Sequence, residues 1–272
     1  MSEQLISGGN PARRIKAMLL RHLYILRRSW PRILELAYWP TVQMVLWGFI
    51  TTFFLSHSSW VAQAAGVLIS AVLLWDVLFR ANLGVSLSFM EEMWSRNLGQ
   101  LFVSPLRPYE IVASLMAMSL IRTVISVTPA ALLALPLYDV WVFSLGPSLI
   151  AFFANILVLG WAVGLIVSAL VLRFGLGAES LAWVAIFAFA PLSGIYYPIA
   201  SLPEWLQPLA WCLPSAYVFE GMRAVLFDDV FRLDLFFGAV GLNVLYIGGA
   251  TGLFLYMFRT AREKGLLLQQ GE

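Results

Sequence analysis

One cysteine and two histidines are all that this 272-residue chain holds of the thiol and imidazole side chains. Cys212 alone closes no intrachain disulfide. His22 and His57 lie far apart and have no carboxylate or cysteine neighbours at ligand spacing, so neither points to a metal site. Charge is scarce as well. Asp, Glu, Lys and Arg make up 12% of the residues, about half the share of an ordinary soluble domain. A net charge of +2 gives no broad cationic surface for nucleic acid. With 61% hydrophobic residues and a mean hydropathy of +0.84, the chain is neither disordered, nor collagen-like, nor a soluble domain. An integral membrane protein remains.

A bilayer core about 30 Å thick takes about 20 apolar helical residues. Six stretches are read as spans: Ile33 to Leu55, Val61 to Phe79, Ile111 to Leu137, Ser148 to Leu172, Leu181 to Ile199 and Leu235 to Phe258. The second has no proline up to Met90 and has room to run on through Ala81–Met90. The fold class expected is therefore all-α and polytopic, with residues 1–32 a tail plus interfacial helix and residues 33–272 the six-span unit. Met1 to Asn10 is polar and a long basic segment precedes the first apolar run, unlike a cleavable signal peptide.

Loop charge gives an orientation. Arg13, Arg14, Lys16, Arg21, Arg27, Arg28 and Arg32 precede the first span. Arg96 and Arg107, then Arg173, then Arg259, Arg262 and Lys264 fall on the same side if all six spans are real. The other side sets Arg223 and Arg232 against Asp139, Glu204, Glu220, Asp228, Asp229 and Asp234. Both termini are expected in the cytoplasm, in a plasma membrane of bacterial inner-membrane type. Ile15, Leu19, Leu23, Leu26 and Trp30 step by three and four along Pro11–Trp30, and basic residues fill much of the remaining circumference, which predicts a helix lying in the membrane surface. That helix serves either as an anchor alone or as a docking element.

Charges at membrane depth are candidate functional residues. Asp76 and Arg80 share a helix face four residues apart, so mutual neutralisation is the simplest expectation. Arg122 has no partner at helical spacing on its own span, and a contact with Asp76 is one way to neutralise it.

Two loops exceed what a connector needs. Residues 91–108 begin with Glu91, Glu92, Trp94 and Arg96 and end in a turn bracketed by Pro105 and Pro108. Trp94, Leu98, Leu101 and Phe102 fall on one side of a short helix, and an apolar stripe of that kind suits a protein groove. The outer segment 191–226 is apolar but cut by Pro191, Pro198, Pro203, Pro208 and Pro214, so it is not one spanning helix. It is expected to dip back into the protein as short helices forming an outer gate. Trp205, Leu209 and Trp211 would point inward, with Glu204 and Glu220 facing water.

With these residues in place the chain resembles the type-2 permeases of ATP-binding-cassette (ABC) exporters. The resemblance rests on the basic interfacial helix, the six spans, and the run "PLSG-x-YYP", "LPEWLQPLAW-x-LP", "FEGMR" between Pro191 and Arg223. It implies that Glu91–Pro108, with Gly99, Ser104 and Pro105, is the coupling helix that sits on the ATPase. It also implies that Pro191, Gly194, Tyr197, Pro198, Pro203, Trp205, Pro214 and Glu220 belong to the outer re-entrant gate. The phosphate-cradling pattern G-x-x-x-x-G-K-[ST] does not occur in these residues. The resemblance accordingly implies a transport subunit and not an enzyme, with no cofactor of its own. ATP and Mg would be held by a separate ATPase, and a homodimer or a similar permease would complete the path through the lipid. An ABC importer and an intramembrane lipid-modifying enzyme are the alternatives. The first lacks a convincing acid-alanine-alanine loop and the second lacks a nucleophile–base pair.

Overall fold

The computed structural model describes residues 10–55, 61–95 and 97–264, and within them every regular element is helical. The amphipathic segment forms α1 (Pro11–Arg28), started by Asn10, whose side chain accepts from the Ala12 N–H at 3.0 Å, and by Pro11 at the first helical position. Then follow α2 (Trp30–Leu55), α3 (Val61–Trp94), the six-residue α4 (Leu98–Val103) and α5 (Pro108–Tyr138). The second half holds α6 (Pro147–Phe174), α7 (Leu181–Phe189), α8 (Gln207–Ala210), α9 (Pro214–Asp228) and α10 (Leu233–Lys264).

Five of these helices are long and apolar enough to cross a bilayer: Trp30–Phe53, Val67–Trp94, Pro108–Tyr138, Pro147–Phe174 and Leu233–Glu263. The expected span at Leu181 to Ile199 is present as a shorter, broken apolar helix. Its α-helix ends at Phe189, flanked by 3-10 turns at Leu176–Ser180 and Ala190–Leu192. The apolar stretch Gly177–Leu192 is 16 residues, about 24 Å as a straight helix and short of the hydrocarbon thickness. Gly175, at φ +79, breaks the chain before it, and Pro191 breaks it after. The second span errs the other way. α3 continues through Met90 to Trp94, so its 34 residues extend about 51 Å and project beyond the hydrocarbon layer.

α3 is the central helix. It packs chiefly against α6 and α5, burying Leu73, Leu78, Phe89 and Met90 in one cluster with Ile156, Leu159 and Leu115. Close approach to α6 depends on Gly160 and Gly164, one turn apart. A Cβ on Gly160 would lie 2.5 Å from Ala81 Cβ, and one on Gly164 would lie 2.7 Å from the Asn82 carbonyl oxygen. This is the small-x-x-x-small arrangement that lets helices pack in lipid. Ser119 on α5 donates to the Ala81 carbonyl at 2.8 Å across the other face. α2 and α10 flank the bundle and leave most of their surface open, including Phe49, Phe53, Val244 and Leu245. Apolar exposure of this kind is what a lipid-facing helix presents.

Candidate functional site

The end of the bundle that carries α4 is held by three carboxylates, all on α3 or α5 and all paired with the basic segment. Glu92, 2% exposed, is in ion-pair contact with Arg21 of α1 and lies 3.4 Å from His22 Nε2. Its other oxygen accepts from Asn97 Nδ2 at 2.8 Å, which fixes the start of α4. Glu91 accepts from Arg32 at 3.0 Å and from Arg122 at 2.9 Å. Glu110, in the first turn of α5, accepts from Arg14 Nε at 2.9 Å and Nη2 at 2.6 Å, and from the Arg107 N–H at 3.0 Å. The charge-assisted bond to Glu110 holds the Arg14 guanidinium above its usual pKa.

These contacts alter the reading of the loop. Glu91 and Glu92 end α3 and face inward, where they fasten the loop to α1 and α2. Trp94 also belongs to α3 and lines a cavity, which splits the expected stripe of Trp94, Leu98, Leu101 and Phe102. Leu101 is buried in this chain's own core. Gly99, Gln100 and Pro105 are exposed, and Ser104 closes α4 by donating to the Leu101 carbonyl at 2.6 Å. Arg96 lies outside the described residues, as do the side chains of Leu98 and Phe102 and all of His57. On α1 the buried line is Met18, His22 and Leu26. Ile15, Leu19 and Leu23 are half-buried, Trp30 is exposed, and Leu20 and Tyr24 join the exposed side. Asn97, Glu110 and His22 were missed as site residues. Glu110 meets Arg14 and His22 meets Glu92 on other helices, and Asn97 meets Glu92 across the break between α3 and α4, none of which intrahelical spacing reveals.

The intramembrane charges border a cavity of ≈ 540 Å³ between α2, α3, α5 and α7. Arg122 does not meet Asp76, because its guanidinium is taken by Glu91, 31 residues away in sequence. Asp76 and Arg80 do not neutralise each other by an ion pair either. Asp76 Oδ2 and Arg80 Nε are buried without a hydrogen-bond partner among the described residues, and the Arg80 guanidinium lies 5.5 Å from the centroid of the Phe79 ring. Trp75, Phe79, Trp183 and Phe187 supply much of the apolar wall, with Phe79 and Trp183 edge-on at 5.3 Å.

At the opposite end the proline-broken segment folds on Arg223. This residue is 8% exposed and donates to the Gly194 carbonyl at 2.7 Å and to Glu220 at 2.9 Å. Glu220 in turn accepts from the Ile199 N–H at 2.6 Å. Gly194 sits at φ +66, and a Cβ there would lie 2.8 Å from Ile199 Cδ1. Tyr197 donates to the Pro191 carbonyl at 2.7 Å, Pro198 and Pro203 bracket the 3-10 turn Ile199–Ser201, and Pro214 opens α9. The expected inward anchors are corrected. Trp205 is 77% exposed and Leu209 is 52% exposed, while Trp211 is half-buried. Glu220 is a structural acceptor and does not face water freely. Among the described residues no group of three or more His, Cys, Asp or Glu is placed to hold a metal ion.

A sequence profile described as "ABC-2 type transporter" matches residues 14–227. The chain belongs to the ABC-2 type transporter family. It is 27% identical over 182 residues to the "Probable multidrug ABC transporter permease YbhR" of Escherichia coli K12, and equally to that of Escherichia coli O157:H7. The match covers 64% of this chain and 47% of each relative, so the chain spans about half the length of the curated relatives it matches. The ABC-2 match runs from Arg14 of α1 to Phe227 of α9 and takes in the α4 junction, the charged cavity and the Arg223 fold. Only α10 lies wholly beyond it. The ABC-2 assignment and the long apolar helices together make this a multi-pass membrane protein.

Proposed function

We propose that this chain is the permease subunit of an ATP-driven ABC exporter, moving its substrate outward from the cytoplasm or inner leaflet by alternating access. ABC-2 membership and the permease relatives support the transport role. The observation that carries the mechanism is the construction of the α4 end. A six-residue helix exposes Gly99 and Gln100, while Asn97, Leu101 and the Glu91, Glu92 and Glu110 ion pairs fix it to the helices that wall the cavity. A partner pressing on α4 would therefore move α1, α2, α3 and α5 together, the shift of a two-state element that such a transporter requires.

In this reading ATP and Mg belong to a separate ATPase subunit, and a second copy of the chain or a similar permease completes the path. The basic segments on the α4 side support a cytoplasmic location for that end and for both termini, in a bacterial inner membrane, with the short apolar segment Gly177–Leu192 counted as the sixth crossing. The test is co-expression with the ABC ATPases of the source organism, starting with any that a neighbouring reading frame encodes. One of them should co-purify, and Gly99→Glu with Gln100→Glu should abolish that association in a chain that still runs as a monodisperse peak. Undiminished association and transport in that variant would refute α4 as the docking element.

A further inference from the structure

Asp76 and Arg80 are opposite charges on adjacent turns of α3, both nearly buried, both bordering the same cavity and not bonded to one another. Other charges around this cavity are accounted for differently. The Glu91 oxygens are occupied by Arg32 and Arg122, and Glu35 sits at the exposed edge within Coulombic reach of Arg80. Burying a charged group whose hydrogen-bonding atoms are unfilled is costly. Asp76 and Arg80 lie within Coulombic reach of one another, but each keeps a buried polar atom without a hydrogen-bond partner among the described residues. A monovalent ligand would compensate one and leave the other. A ligand carrying both signs would compensate both and bring no net charge into the membrane.

The rest of the cavity specifies the other half of the ligand. Trp75, Phe79, Trp183 and Phe187 make its wall, and Trp183, Phe187 and Trp39 are about half exposed or more. The opening therefore runs between α2 and α7, sideways through the helices. The volume, ≈ 540 Å³, lies in the range of small-molecule sites. It suits a headgroup with the first part of a chain whose remainder leaves between those two helices.

We infer that this cavity binds a zwitterionic amphiphile, its ammonium at Asp76, its anionic group at Arg80 and its apolar body on the aromatic wall. This deepens the permease reading and rests on it for its meaning as a substrate site. Binding is measurable on the chain alone, so its failure and the failure of ATPase coupling are separate results.

The test is native mass spectrometry of the full chain in a neutral maltoside micelle, titrated with lysophosphatidylethanolamine and with lysophosphatidylglycerol of the same chain length. The first should bind at least about tenfold tighter, the scale of one charge-assisted hydrogen bond. Asp76→Asn and Arg80→Gln should each erase that preference, and the exchange Asp76→Arg with Arg80→Asp should restore most of it. If the single variants do not fold, Phe187→Ala on the exposed rim keeps the question open to measurement. It should weaken both probes by a similar factor and leave the headgroup preference intact. Chainless glycerophosphoethanolamine separates the sources: comparable binding assigns a soluble zwitterion, and much weaker binding assigns a membrane amphiphile. Equal affinity of the wild-type chain for the two lysolipids, or a preference that survives loss of both charges, would overturn the inference.

Discussion

Glu92→Gln is the sharpest probe of the α4 junction. The change keeps shape and removes charge at a side chain that serves α1 through Arg21 and α4 through Asn97. Whichever way the new amide turns, its NH2 faces a donor, either the Arg21 guanidinium or Asn97 Nδ2. Loss of a bond to a charged acceptor costs about 1.5–3 kcal/mol in a buried setting. Arg21 is 37% exposed and recovers water, so its share falls toward the ~0.5 kcal/mol of a surface pair. Adding the Asn97 bond, and the buried amide group left facing it, brings the total to about 2 kcal/mol.

For a chain of this length that corresponds to a fall of about 4–8 °C in melting temperature, read by tryptophan fluorescence in detergent. Arg21→Gln on the same background should add less than it costs alone, since the pair is already broken, giving a coupling energy of at least about 0.5 kcal/mol. Arg259→Gln, in the well-exposed Arg259–Glu263 pair, is the control and should not shift the curve. A Glu92→Gln protein that melts within about 1 °C of wild type, or strict additivity with Arg21→Gln, would refute the junction.

Gly160→Leu forces a side chain into Ala81 and the Leu78 carbonyl and should cost at least about 3 kcal/mol, seen as loss of folded material in size-exclusion chromatography. Gly194→Ala pairs a left-handed φ with contact against Ile199 and should cost about 1–2 kcal/mol. Gly248→Ala, mid-helix and open on every side, should stabilise by up to about 1 kcal/mol. Melting curves of these two variants should move in opposite directions. Glu91→Gln strips Arg122 of its carboxylate at 6% exposure and should destabilise more than Arg32→Gln, whose side chain is half exposed. Equal shifts in those two variants would show that burial at Arg122 does not matter.

The helices were legible wherever a single stretch carried the whole signal. Length and apolarity located the five long spans and the shorter apolar helix Gly177–Leu192, and the proline spacing announced that 191–226 would not be one helix. What stayed hidden depends on pairs distant in sequence. Arg122 has no acid at helical spacing on its own helix, and the cross-helix partner expected for it was Asp76, yet its acid is Glu91 at the far end of that same neighbouring helix. Trp94 and Leu101 fit one helical stripe only if residues 91–102 form one helix. The backbone breaks at Ser95, which sends Trp94 to a cavity and Leu101 to the core. Trp205 looked like an anchor because it is large and apolar, but the buried role in that segment goes to Arg223, whose five donors can tie several carbonyl and carboxylate oxygens at once. The run Gly160-x-x-x-Gly164 was present in the sequence and marks the close approach of α6 to α3, whereas the same spacing at Gly248 and Gly252 meets nothing within 4 Å, so spacing alone did not decide it.

The inward turn of Glu91, Glu92 and Glu110 bears on how force would cross this end of the protein. If these carboxylates projected into solvent, α4 would be joined to the bundle only by the backbone at its two ends, and a load on it would bend the loop. Instead each end of the loop carries a carboxylate bonded to a different part of the basic segment: Glu92 to Arg21, Glu110 to Arg14, and Glu91 to Arg32. The basic segment thus acts as a strut spanning both ends of the loop, and Arg32 carries the connection into α2, which walls the charged cavity. Displacing α4 without moving α1 would require breaking at least two of these pairs. In the proposed permease reading, moving α1 with it would shift α2 against α3 at the level of Arg122 and would open or close the cavity beside Asp76 and Arg80. The positive charge expected to orient the chain in its membrane and the linkage that would transmit the partner's motion are, in that reading, the same residues.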